Sequence, residues 1–182
     1  MSTNHPPNKV VTGKVRLAYP WLLQPRPEDA EIDPGKYCVL ALIPKSDKAT
    51  VAKIKSAIDA AIARKWPNKP PSNLGNPLKD GDLKDAAHYK GCWFINVKSN
   101  SRPQVVDAAL NEVIDPREIV SGDYGRVSMN ITAYDQAGNR GTSAWINSVQ
   151  VLEKGEPIGS FSRAEDDFSE GLEAFEDDDA FA

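Results

Sequence analysis

Residues 124–134 read YGRVSMNITAY, the cleanest alternation in the chain. Val127, Met129, Ile131 and Ala133 point one way. Arg126, Ser128, Asn130, Thr132 and Tyr134 point the other. A period of two marks a strand with one buried and one wet face. Downstream, DQAGNRG (135–141) reads as a hairpin loop and TSAWINSVQVL (142–152) as the last strand. The wet face is unusual in what it carries: basic, amide and aromatic side chains together.

The same period recurs upstream. VVTGKVRLAYPWLL (10–23) reads as one strand, with Val11, Val15, Leu17 and Tyr19 inward and Lys14, Arg16 and Ala18 outward. KYCVLALIP (36–44) is nearly all apolar, as in a strand buried on both faces. In YKGCWFINVKSN (89–100), Trp93, Ile95 and Val97 share one face and Cys92, Phe94, Asn96 and Lys98 the other. Between these strands Val51, Ile54, Ile58, Ile62 and Trp66 recur at steps of three or four, an amphipathic helical stripe. Ser46 or Asp47 suits its N-cap, and Pro67 stops it. A long Pro/Asn/Gly-rich linker (67–88) follows, and RPQVVDAALNEVID (102–115) holds a short strand and a turn.

The order β, β, α, β, short β, β, β predicts a mainly β fold. A closed barrel removes exposed sheet edges. Five antiparallel strands with one amphipathic helix fit an OB-like barrel, with a β-sandwich as the alternative. Residues 1–9 are polar with two prolines and read as a disordered N-terminus, residues 10–163 as the domain, and residues 164–182 as a disordered acidic tail.

Charge separates body from tail. All 22 Lys and Arg lie in residues 1–163 with 17 of the 26 acids, so the body carries +5. Residues 164–182 hold the other nine acids and no base. Such asymmetry suggests a nucleic-acid or protein-interaction role. No apolar run approaches the ~20 residues of a membrane span, and the N-terminus lacks a signal-peptide core, so a cytoplasmic protein is expected.

Catalysis finds little support. There is no phosphate loop and no nucleophile elbow. Cys38 and Cys92 read as reduced core residues, and with His5 and His88 they show no zinc-ligand spacing. Asp80, Asp82 and Asp85 are the best candidates for Mg²⁺ or Ca²⁺, although a polar turn accounts for them. With Asp107 they would serve a metal-dependent nuclease, one alternative function; an interaction adaptor that never touches DNA is another. No catalytic residue, metal or cofactor is expected.

Single strands are bound by positive grooves with aromatic rings on which bases stack. The outward positions supply such groups. Candidates are Lys14, Arg16, Phe94, Asn96, Lys98, Arg102, Arg126, Asn130, Tyr134, Arg140 and Trp145. Trp93 joins them, because the pattern leaves open whether Trp93 or Phe94 faces the DNA.

VVTGKVRLAYPWL, LIPKSD, PLKDGD, YKGCWFINVKSNSRPQVVD, SGDYGRVSMNITAY and RAEDDF, in this order, resemble a family of phage and prophage single-stranded DNA-binding proteins with an OB fold. The likeness runs from about Val10 to Phe168. It implies non-sequence-specific binding of single-stranded DNA in phage replication or recombination, without catalysis, in the cytoplasm of the infected host. A homo-oligomer is compatible with this reading.

The tail is similar to the end of bacterial single-stranded DNA-binding proteins, where an acidic run finishes in a hydrophobic residue. Here Asp177, Asp178 and Asp179 precede Phe181, which is penultimate and has no proline before it. The expected uses are two. The acids lie transiently in the chain's own basic groove, and Phe168, Phe175 or Phe181 docks on a replication or recombination protein. A plain solubilising tail is the alternative.

Overall fold

The computed structural model describes residues 6–159. In chain order its elements are β1 (Lys9–Val11), β2 (Val15–Trp21), β3 (Tyr37–Pro44), α1 (Lys48–Lys65), β4 (Leu78–Asp80), β5 (Cys92–Ser99), β6 (Gln104–Val106), β7 (Tyr124–Gln136) and β8 (Asn139–Glu153). β7 pairs β2, β2 pairs β3, β3 pairs β5, β5 pairs β8, and β8 returns to β7. That ring is the expected five-stranded barrel. β1, β4 and β6 are short additions on β7, β5 and β8. One feature departs from the expected antiparallel ring: β5 meets β8 in parallel, at Val97↔Ala144 and Lys98↔Trp145.

The alternation of 124–134 holds. Val127, Met129 and Ile131 are fully buried, and their partners across the long β7–β8 ladder are Val149, Ile146 and Ala144. With Val15, Leu17, Val39, Ala41, Ile43, Ile95 and Val97 they fill the barrel. α1 closes it with Val51, Ile54, Ala57, Ile58 and Ala61. Asp47 caps the helix, accepting from the Thr50 amide at 3.1 Å. Truncating a buried aliphatic such as Ile54 to Ala would cost about 2–5 kcal/mol.

Local geometry corrects the sequence reading in several places. Residues 10–23 form two strands, broken at Thr12–Lys14, so Lys14 lies in the turn and not on a strand. Val10 rather than Val11 is the buried residue of β1. Ala18 is buried, and Tyr19, expected inward, turns outward with φ +50° and 40% exposure. A register irregularity between Ala18 and Trp21 accommodates the flip. The loop 135–141 shrinks to Ala137–Gly138, both at positive φ, which matches the primed turns that join twisted strands. Arg140 therefore stands on β8.

The linker is pinned. Gly75 bridges Gly141, with Gly75 N–H donating to Arg140 O and Thr142 N–H to Gly75 O, both at 2.9 Å. A Cβ on Gly141 would meet Gly75 backbone atoms at 2.6–2.8 Å, so only glycine permits this approach. The linker then supplies β4 to the edge of β5.

Candidate nucleic-acid interface

Strand register decides which outward residues meet. Residues directly opposite in a ladder share a face. One row across the barrel's outer surface is therefore Trp21–Cys38–Lys98–Trp145–Asn130, from β2 through β3, β5 and β8 to β7. A neighbouring row is Arg16–Leu42–Phe94–Lys79. Residues from five distant segments thus converge because the barrel closes.

Trp145 is the centre of the first row. It is half-buried, and its indole Nε1 donates to Thr132 Oγ1 at 2.9 Å, which fixes the ring plane. The Lys36 and Lys98 ammoniums each lie 5.5 Å from its ring centroid. A cleft of about 500 Å³ opens beside it. Its walls include Lys36, Lys79, Asn96, Lys98, Tyr134 and Trp145, and among the described residues no carboxylate lines it. The pinned Gly75–Pro77 segment forms one side. Polar groups continue the surface beyond Trp145, where Asn147 donates to Asn130 Oδ1 at 3.1 Å and to Ser128 Oγ at 3.3 Å.

One acid stands at the edge. Asp33 accepts from Asn96 Nδ2 at 3.1 Å and lies 3.6 Å from Lys98 Nζ. The contact is loose enough for a phosphate to compete for the ammonium.

Of the sequence candidates, Asn96, Lys98, Asn130, Tyr134 and Trp145 come together. The others do not. Lys14 pairs Glu153, and Arg126 donates to Thr12 O at 3.0 Å, both near the far end of the β7–β8 ladder. Arg16 belongs to the outer face but sits in the second row, donating to Gly122 O and Glu156 O. Arg140 pairs Asp135 at 3.1 Å near the hairpin tip, and Arg102 is exposed in the loop before β6.

The two open aromatics separate. Phe94 is outward, but only 9% exposed, packed with Ala18, Leu42 and Ile158 and covered by Tyr89. It is not a free stacking surface in this structure. Trp93 lies on the barrel side against the main core, between Lys45 at 5.1 Å and Lys55 at 5.4 Å. Sequence reasoning missed Lys36 and Lys79. Lys36 opens the KYCVLALIP strand segment, and Lys79 follows a proline in PLKDGD; their basic character was the only available signal.

Of the acids considered for a metal, Asp80, Asp82 and Asp107 have other partners, and Asp85 is exposed. Lys45 Nζ bridges Asp80 at 2.7 Å and Asp82 at 2.6 Å. Asp82 also accepts from the Gly91 amide at 2.8 Å. The bond from Lys45 is the main cause holding the Asp80 carboxyl below its ordinary value, and the Gly91 amide does the same for Asp82. Asp107 accepts from the Ala109 and Asn111 amides, closing a turn. Among the described residues no three His, Cys, Asp or Glu side chains group to hold a metal ion. Cys38 and Cys92 are both free, Cys38 buried and Cys92 half-buried, and burial pushes both thiols up. The tail residues Phe168, Phe175, Asp177, Asp178, Asp179 and Phe181 lie outside the described residues.

Known proteins share this fold. A family model described as Enterobacter phage Enc34, ssDNA-binding protein, matches residues 8–181. Protein p50 of Acyrthosiphon pisum secondary endosymbiont phage 1 is 32% identical over 159 residues, covering 81% of this chain and 85% of its own. The single-stranded DNA-binding protein from bacteriophage Enc34, solved in complex with ssDNA, superposes with a TM-score of 0.72 at 25% identity. That match covers 84% of this chain and 90% of the other. For the fold alone, gp2.5, a single-stranded DNA-binding protein encoded by bacteriophage T7, superposes with a TM-score of 0.59 at 19% identity over 89% and 93% of the two chains. The chain therefore belongs to the phage single-stranded DNA-binding protein family represented by that of Enterobacter phage Enc34.

Proposed function

We propose that the chain binds single-stranded DNA without sequence preference on the outer face of its barrel, during phage replication or recombination in the host cytoplasm. The observation that carries this reading is the cleft at Trp145, which joins a fixed indole, Tyr134 and three lysines with no lining carboxylate among the described residues. A base laid on the indole brings its phosphates toward Lys36 and Lys98, and Asn96, Asn130 and Asn147 can bond to sugar or phosphate without selecting a base. Stacking is worth about 1–3 kcal/mol per base whatever the base. Family membership supports the same ligand, since the Enc34 protein was solved with ssDNA.

The acidic tail, residues 164–182, has two roles in this reading. It competes with DNA for the basic cleft, and its phenylalanines engage a replication or recombination protein once DNA displaces it. A tethered competitor acts at an effective concentration of roughly mM.

Titration with poly-dT and with matched duplex tests the function. Tryptophan emission falls on binding single strands, the duplex binds less, and log affinity drops with log salt by ~0.7 per phosphate contacted. Absence of poly-dT binding would defeat the reading. Deleting residues 164–182 tests the tail separately: affinity for poly-dT at low salt rises, and an unchanged affinity would reject self-competition.

A further inference from the structure

The outer face has a second aromatic feature, remote from Trp145. Rings run in a string from the interior to the surface: Phe94 to Tyr89 at 5.0 Å, Tyr89 to His88 at 4.3 Å, His88 to Tyr19 at 5.8 Å. Exposure grows along it, from Phe94 at 9% to Tyr19 at 40%. Tyr19 is the outermost ring. Its presence there is imposed by the backbone. The alternation of β2 would send Tyr19 inward beside Val15 and Leu17. A φ of +50°, uncommon for a residue with a side chain, turns it out instead. The Tyr19 amide donates to Ser121 Oγ at 2.9 Å and holds that conformation. Its hydroxyl meets His88 Nε2 at 3.1 Å, which fixes the ring.

Strained backbone that exposes an aromatic ring points to a ligand for the ring. Charge at the same place says which kind. Arg16 stands in the same outer row as Phe94, at the inner end of the ring string, and burial first, then the Arg16 charge, holds the His88 imidazole below its ordinary value. Its guanidinium donates only to the Gly122 and Glu156 carbonyls, which leave its charge uncancelled among the described residues. A flat exposed ring beside a cation suits a base and its phosphate.

We propose that Tyr19, steadied by His88 and accompanied by Arg16, is a second base-stacking subsite for single-stranded DNA. The proposal rests on the outer-face reading above and extends it. Along the β3–β5 side of the ring, β2 and β8 are three strand spacings apart, about 14 Å. A strand rising ~3.4 Å per nucleotide spans that gap in about four nucleotides. One oligonucleotide therefore reaches both rings, crossing Leu40, Asn96 and Lys98 between them.

The test uses the full chain and dye-labelled dT12, with affinity read by anisotropy. Tyr19→Gly removes the ring while placing at +50° the residue that accepts it most readily. It weakens binding at least 5-fold, and Tyr19→Phe, which keeps the ring, stays within 2-fold of wild type. A dT12 with a single central 5-iodouracil then crosslinks on irradiation to Tyr19 as well as to Trp145, because a strand bound without sequence preference can shift by the about four nucleotides that separate the rings. If wild type binds dT12 but Tyr19→Gly binds equally well and no crosslink reaches Tyr19 or His88, the subsite is rejected and the Trp145 cleft stands. If wild type does not bind dT12 at all, the outer-face reading itself fails.

Discussion

Two tryptophans in this molecule have nearly the same neighbours and opposite circumstances. Trp145 lies between Lys36 and Lys98, each 5.5 Å from its ring, and Trp93 lies between Lys45 and Lys55 at 5.1 and 5.4 Å. Trp93 is on the barrel side of β5, packed on the core, and its Lys45 is neutralised by Asp80 and Asp82. Trp145 is on the outer side of β8, beside a cleft that no carboxylate of the described residues lines. Of its two lysines, Lys98 has a loose contact with Asp33 and Lys36 has no ion pair among the described residues. A lysine-flanked ring is thus not by itself a binding device. Each ring has one lysine without an ion pair among the described residues, Lys36 and Lys55, so what separates the two is whether the ring borders open space and how firmly its other lysine is held, loosely by one carboxylate or closely by two.

The largest expected effect breaks the symmetry through stability. Trp93→Ala removes a half-buried ring, which costs about 2–3 kcal/mol, below the ~3–5 of a fully buried one. The melting temperature falls by roughly 4–12 °C at ~2–4 °C per kcal/mol. An unchanged melting temperature would show that Trp93 is not structural. The next effect concerns the free cations. The double variant Lys36→Ala, Lys98→Ala lowers the slope of log affinity against log salt by about 1.4, two contacts at ~0.7 each. The same change at Lys45 and Lys55 leaves the slope as it was. Equal slopes for the two double variants would erase the distinction drawn here.

Asp33→Asn frees Lys98 while tolerating the φ of +46° at that position. Affinity for dT oligomers rises a few-fold, in keeping with the ~1 kcal/mol or less of a long, partly exposed ion pair. A loss would mean that Asp33 positions Lys98 rather than restraining it. The smallest effect is the pH dependence of the Lys45 cluster. The Asp80 and Asp82 carboxyls are lowered in the folded chain, so their stabilisation is present above the ordinary carboxylate value of about 4 and disappears as pH falls through the lowered values. Lys45 is raised, so its part is present below the ordinary lysine value of about 10.4 and is lost as pH climbs through the raised one. The stability gap between wild type and Asp82→Asn is therefore level from pH 5 to 9 and narrows in acid. A gap that widens in acid would contradict the pairing.

The period-two runs made most of the barrel legible, because Val127, Met129, Ile131, Ile95 and Val97 report the pleat directly. The helix was readable from a different period, the steps of three and four between Val51, Ile54 and Ile58. Faces that pack on both sides were not. Phe94 obeys the alternation, yet Tyr89, Ala18 and Ile158 cover it from outside, and no local pattern announces a second layer. Tyr19 defeats the pattern through one backbone angle, which hydrophobicity does not encode. The cleft needed tertiary placement: Lys36, Lys79 and Trp145 come from segments far apart in sequence, joined by the parallel β5–β8 pairing and by the Gly75–Gly141 contact. The glycines were visible, but nothing nearby said that they touch.

The central claim is that bases stack on the outer tryptophan beside the open cleft and not on its core-packed counterpart. Anisotropy of a dye-labelled dT oligomer, titrated with Trp145→Ala and with Trp93→Ala at one salt concentration where both are folded, tests it most directly. Trp145→Ala should weaken binding by roughly 5- to 150-fold, the ~1–3 kcal/mol of a stacked base, with Trp93→Ala within 2-fold of wild type. Equal affinities for Trp145→Ala and wild type, or a loss confined to Trp93→Ala, would contradict it.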